Sequence, residues 1–344
     1  LAGILVVLAS AGCPKYQCAK TPLPANVCSH YDEALNTYNL QPCFRQEQMC
    51  PYPQTYDNYC IDRPNVPISA YPGELCSGNK DCVFGFNCEQ GYCVGLSEGG
   101  TCSEHGMCNP GLYCTVTDGS GSGVCKPQVP IGGDCDNFLK CTNDALCSSD
   151  GKCKAYFSLA NGESPRNCYS YVNQECQSGT CASIGDKPYC IAAPASSDKL
   201  PLECTSGPNC HSANFTVADH TDNLTQYCGC GYNDEGKAFC PLFPGDAIFQ
   251  TYLKYMMKWF EGEEVKKCNT ERRDSYYCRK SFWDIEDYEA MWFYQDYVAY
   301  YYTLQGIDVC VKQIYFPWFS NFYEELDSGL TVAASAALLV LALY

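Results

Sequence analysis

One cysteine spacing recurs along this chain and constrains its fold more than any other feature. Cys76, Cys82, Cys88 and Cys93 are separated by five, five and four residues, Cys102, Cys108, Cys114 and Cys125 by five, five and ten, and Cys135, Cys141, Cys147 and Cys153 by five, five and five. A looser fourth copy follows at Cys168, Cys176, Cys181 and Cys190. Each of the first three begins after a glycine-containing turn: PGELC, EGGTC, IGGDC. A unit of about 25 residues buries too little apolar surface to offset its chain entropy, so cross-links take the place of a core. The short gaps give little reach to partners elsewhere. Of the three pairings open to four cysteines, the spacing predicts first to third and second to fourth.

The chain holds 30 cysteines in 344 residues, a density that points to an oxidising compartment and to a secreted or cell-surface location. Zinc is the competing use of so much sulfur; it would call for short C-x2-C pairs and histidine, yet the sequence has no C-x2-C and four His. A formal charge of −17 removes the basic footprint that nucleic-acid binding needs.

The form C-x5-C-x5-C-x4-C, with DC…GFNCEQGYC in the first copy, resembles the small cysteine-rich units of the Dickkopf N-terminal, colipase and EGF-like type. The layout over residues 71–196 resembles the tandem-repeat surface proteins of ciliates, including lipid-anchored surface antigens. The resemblance implies extended disulfide modules at a cell surface, and it brings no catalytic residue or cofactor.

The opening LAGILVVLASAG reads as the apolar remnant of a secretory signal over 1–11, with Ala9-Ser10-Ala11 as a small-x-small cleavage pattern; a buried strand and a lipid-modified Cys13 compete with it. At the other end, residues 330–344 form an apolar run of fifteen with no basic residue after it. That is short for a membrane span, and Asp327, Ser328 and Gly329 stand before it as small residues for exchange to a glycolipid anchor over 328–344. A retained tail helix and a buried segment are the alternatives. Residues 12–70 carry six cysteines and read as a self-contained module, joined through an extended stretch at 62–67.

Residues 197–245 carry five cysteines and the sequons at Asn214 and Asn223, so glycosylation is expected there; the odd count predicts bridging to the region that follows. Cys204, Cys210, His211, His220, Cys228 and Cys230 match no zinc-finger spacing. From 246 to 327 the texture becomes helical and aromatic. Gln250, Lys254, Lys258 and Glu261 mark one wet stripe on a helix otherwise lined by apolar residues, including Trp259. A second helix, capped near Ser281 and Asp284, is expected to carry Trp292 on an apolar face, run to Leu304 and end at Gly306. Between them, KKCNTERRDSYYCRK gathers six of the 22 basic residues and reads as a solvated connection, with lipid headgroups or an acidic partner as the alternative.

The fold class expected is therefore small disulfide-rich modules in tandem, made of short β-hairpins and loops, followed by a mainly α-helical aromatic-rich C-terminal domain. The scattered His30, His105, His211 and His220 supply no catalytic constellation, so no enzyme is expected. The expected role is a surface protein for coat formation, adhesion or recognition, contacting the membrane through its anchor and a protein or glycan ligand through its repeats. A self-associating filament or wall subunit is the alternative. The loop residues Asn79, Lys80, Asp81, Glu104 and His105 are expected to be free for recognition, because the bridges hold each unit.

Overall fold

A computed structural model describes residues 12–317 apart from 46, 53–55, 64–68, 117–120, 170–171 and 206. The signal remnant, the core of the joint at 62–67 and the anchor residues Asp327, Ser328 and Gly329 lie outside the described residues. Fifteen disulfides pair all 30 cysteines, and none is left free.

The four repeats share one plan. In every copy the third and fourth cysteines stand directly opposite one another in an antiparallel ladder: Cys88 with Cys93, Cys114 with Cys125, Cys147 with Cys153 and Cys181 with Cys190. Opposed residues on a ladder point to the same face, and both sulfurs there reach back to the preceding loop. The bridges run first to third and second to fourth: Cys76–Cys88 and Cys82–Cys93, Cys102–Cys114 and Cys108–Cys125, Cys135–Cys147 and Cys141–Cys153, Cys168–Cys181 and Cys176–Cys190. In the first three copies a short 3-10 turn lies between the first two cysteines, at Asn79–Asp81, His105–Met107 and Phe138–Lys140. The turn before each unit supplies a glycine with positive φ, as at Gly73 (91°), whose N–H donates to the carbonyl of the unit's fourth cysteine. Only glycine adopts that conformation without strain. Gly162 does the same for Cys190, so the fourth copy keeps the plan although its spacing has drifted.

The helical part holds α1 (Ala247–Glu261), α2 (Tyr276–Phe282), α3 (Ile285–Tyr300) and α4 (Val309–Tyr315). Lys254, Lys258 and Glu261 lie exposed along α1, while Phe249, Leu253, Met256, Trp259 and Phe260 are buried. Asp284 caps α3 by accepting from the Glu286 N–H at 3.0 Å. That helix ends at Tyr300, short of the expected Leu304, and a turned segment carries the chain to Gly306. Trp292 also departs from expectation: it is 38 % exposed, whereas Trp259 is fully buried. Among the described residues no helix is long and apolar enough to cross a membrane.

The N-terminal segment is not the self-contained module its even cysteine count predicts. Its sheet places β1 (Lys15–Cys18) parallel to β3 (Thr37–Leu40), with β2 (Val27–Asp32) antiparallel to β3 and the strand Asn58–Tyr59 beyond it. Tyr16, Tyr38 and Leu40 of this sheet share one core with Phe293, Leu304, Val311, Tyr315 and Phe316. Cys28–Cys50 and Cys43–Cys60 are internal, but Cys13 bridges to Cys230 and Cys18 to Cys310, across 217 and 292 positions. The bridge expected between 197–245 and 246–327 is likewise absent among the described residues. Cys204–Cys228 and Cys210–Cys240 close the first region and Cys268–Cys278 the second, leaving one cysteine in each for the N-terminal sheet. Parity counts cysteines but carries no distance, and an even segment can export two and stay even.

Candidate functional site

The basic stretch that follows α1 and runs into α2 is only in part a solvated connection, with Lys266, Lys267 and Lys280 exposed. Arg273 is 3 % exposed, and its guanidinium donates to the carbonyls of Ala145 (2.8 Å), Cys141 (3.3 Å) and Thr270 (2.9 Å). Asn269 reaches the carbonyls of Gly106 and Cys108 in the second repeat, while Asn143 of the third repeat answers by donating to the carbonyls of Val265 and Cys268. Ser275 Oγ donates to the buried carboxylate of Glu74 in the first repeat at 3.1 Å. Arg272 lies over the Tyr71 ring at 4.7 Å. Residues 264–281 thus clasp three repeats, satisfying carbonyls of the second and third and the buried Glu74 carboxylate of the first. The clasp fits closely, for a Cβ at Gly73 would come within 2.7 Å of the Lys267 carbonyl oxygen.

Where the clasp meets the third and fourth repeats, a polar cleft of about 660 Å³ opens. Tyr156 lines it, its ring stacked on Phe260 at 3.8 Å. The exposed Asp136 and Arg166 stand on its rim, with Asn173 and Glu175 from the fourth repeat and Asp274 from the clasp. The Arg166 guanidinium donates to the Asp136 carbonyl at 3.3 Å, and Lys140 pairs with the Asp136 carboxylate at 2.6 Å. Hydrogen bonding from Lys140 holds that carboxyl below its ordinary range. Glu175 is the opposite case: burial raises its pKa although it accepts from the Arg166 backbone N–H and the Ser148 hydroxyl. Carboxylates, the guanidinium groups of Arg166 and Arg273 and several amides around an aromatic wall can meet both donors and acceptors of a polar ligand. Sequence reasoning named none of these residues as a site, because they come from three segments and share no local motif.

A second groove, about 480 Å³, runs between residues 42–63 and α4. It is lined by Met49, Tyr52 and Tyr315 with Arg45 and Arg63, and Phe44, next in sequence to two of its lining residues, is 80 % exposed.

The structure revises the repeat loops. Asn79 Oδ1 accepts from the Cys88 N–H at 2.9 Å, and the Asp81 carboxylate accepts from the N–H groups of Ser77 and Gly78. His105 is partly buried, and desolvation lowers its pKa. Asn79 and Asp81 thus serve the fold of their own unit, whereas Lys80 and Glu104 are exposed as expected. Cys204, Cys210, Cys228 and Cys230 are all bridged, so the sulfurs of that cluster are not thiolates. Asn214 and Asn223 flank the hairpin Phe215–Val217 and His220–Asp222. His30 contacts Asp57 at 2.7 Å and His211 contacts the Thr225 hydroxyl at 3.3 Å.

The chain is similar to a Caenorhabditis elegans protein described as prion-like-(Q/N-rich) domain-bearing protein 25, with 26 % identity over 248 residues. That alignment covers 67 % of this chain and 33 % of the relative, so the chain spans about a third of that protein's length. No family model matches the chain, and no solved structure matches it.

Proposed function

We propose that this extracellular, disulfide-rich chain is a non-enzymatic, glycosylated binding protein of a cell surface, held there by a C-terminal lipid anchor and serving coat formation, adhesion or ligand recognition. The observation that carries the reading is the polar cleft at the junction of the third repeat, fourth repeat and clasp, where three separate segments hold Asp136, Arg166 and Asp274 around one aromatic wall. Such a lining suits a glycan or a polar loop of another protein. The kinship with Dickkopf-like, colipase-like and EGF-like units belongs to the same proposal.

A screen of glycans and extracellular proteins against residues 12–326 tests it. Binding that weakens on Arg166→Ala and Asp136→Ala, both exposed positions, supports the cleft; binding indifferent to both places the interaction elsewhere. The exposed Phe44, Tyr56 and Tyr59 favour a second reading as a self-associating filament or wall subunit. Light scattering separates the two, because a filament subunit grows with concentration and a coat or adhesion protein stays small.

A further inference from the structure

We propose that Asn223 carries an N-linked glycan whose first N-acetylglucosamine is seated in a cleft of the protein against the ring of Tyr169. The inference rests on the glycoprotein part of the function proposed above and adds a place for the sugar. A cleft of about 680 Å³ opens beside the hairpin Phe215–Val217 and His220–Asp222, and Asn223, Thr225 and Tyr169 all line it. That volume lies in the ~300–1,000 Å³ range of clefts that hold small organic groups. Tyr169, next to Cys168 of the fourth repeat, is 94 % exposed, the most exposed large apolar side chain among the described residues. Phe215 and Leu224 form buried apolar wall, and Asp222 and Ser183 add polar edges.

This composition matches an N-acetylhexosamine. The sugar has an apolar C–H face and an acetyl methyl that stack on an aromatic ring, and hydroxyls and an amide at its rim for polar partners. The occupant is fixed by covalent geometry, because the acceptor side chain itself lines the cleft. Asn223 is half-buried, its Oδ1 accepting from the Thr225 hydroxyl of its own sequon at 3.3 Å. Asn214, the other acceptor, is exposed and does not line the cleft. Attachment transfers C1 of the sugar from a lipid-pyrophosphate donor to Asn223 Nδ2: the C1–O bond to pyrophosphate breaks, the C1–N bond forms, one amide proton is lost and the lipid pyrophosphate leaves.

The test uses the full chain secreted from eukaryotic cells, with mass spectrometry following release of the Asn223 glycan by a peptide N-glycosidase. From native protein, release is expected to be about tenfold slower than from the native Tyr169→Ala variant, the factor that ~1.4 kcal/mol of ring contact represents. Tyr169→Phe keeps the ring and should keep the protection, and denatured samples of all three should react alike. Native wild type and Tyr169→Ala reacting at the same rate, with Asn223 occupied, overturns the seating of the sugar and leaves the glycoprotein reading standing. An Asn223 found unmodified overturns both at this sequon.

Discussion

The carboxamide of Asn269 donates to the carbonyl oxygen of Cys108 at 2.6 Å, tying together residues 161 positions apart. A repeat held by two disulfides has few interior atoms, and its tight turns leave carbonyls aimed outward. The clasp at 264–281 exploits this by offering amide, hydroxyl and guanidinium donors to three repeats in succession. The orientation of the repeats on the helical part thereby rests on buried polar contacts, where an unmade hydrogen bond is expensive, together with an apolar cluster that packs Leu146 and Tyr156 against Trp259 and Phe260.

Arg273 is the most heavily used donor. Arg273→Met should lower stability by about 3 kcal/mol, since it strands buried carbonyls of Ala145, Cys141 and Thr270. Arg273→Lys should rescue little, because one ammonium cannot reproduce the planar fork. A shift of the guanidinium unfolding midpoint measures both, and a loss below the ordinary surface range would mean the clasp is not structural.

The two tryptophans should now behave differently. Truncating the fully buried Trp259, whose Nε1 donates to the Arg273 carbonyl at 2.8 Å, is expected to cost about 3–5 kcal/mol and to cut secretion. Trp292→Ala, at a site 38 % exposed, should cost about 1 kcal/mol. Thermal melts of the two variants give the comparison directly.

The segment that carries Cys13 and Cys18 is expected to be stapled to distant parts of the chain. Non-reducing peptide maps should recover Cys13 linked to Cys230 and Cys18 linked to Cys310. Replacing Cys18 and Cys310 together by Ser should destabilise the fold by roughly 4 kcal/mol in the loop-entropy account, the other bridges having already shortened the loop. Recovery of Cys18 paired within residues 12–70 would contradict the shared core.

Burial raises the pKa of both Glu74 and Glu175. A carboxyl with a folded pKa above its unfolded value binds more protons folded than unfolded in that interval, so stability falls as pH rises through it. Melting temperature should therefore rise as pH is lowered from neutral toward the ordinary glutamate range, and Glu175→Gln should flatten that dependence. A profile unchanged by the substitution would assign the effect to other groups.

Spacing alone determined the repeats and their internal pairing, because a loop of five residues leaves a cysteine few partners and the rule is local. The α1 stripe was legible for the same reason: Lys254 and Lys258 recur at helical period beside Trp259. Tertiary structure decided where each unit goes. Arg273 and Lys80 look alike in sequence, yet one is buried against carbonyls 128 and 132 positions away and the other stands in solvent. Cys13 and Cys28 sit in one segment, yet one closes a local loop and the other crosses to Cys230. The polar cleft and the Tyr169 groove are likewise products of assembly, since long-range contacts depend on how finished modules fit and no short window of sequence encodes that fit.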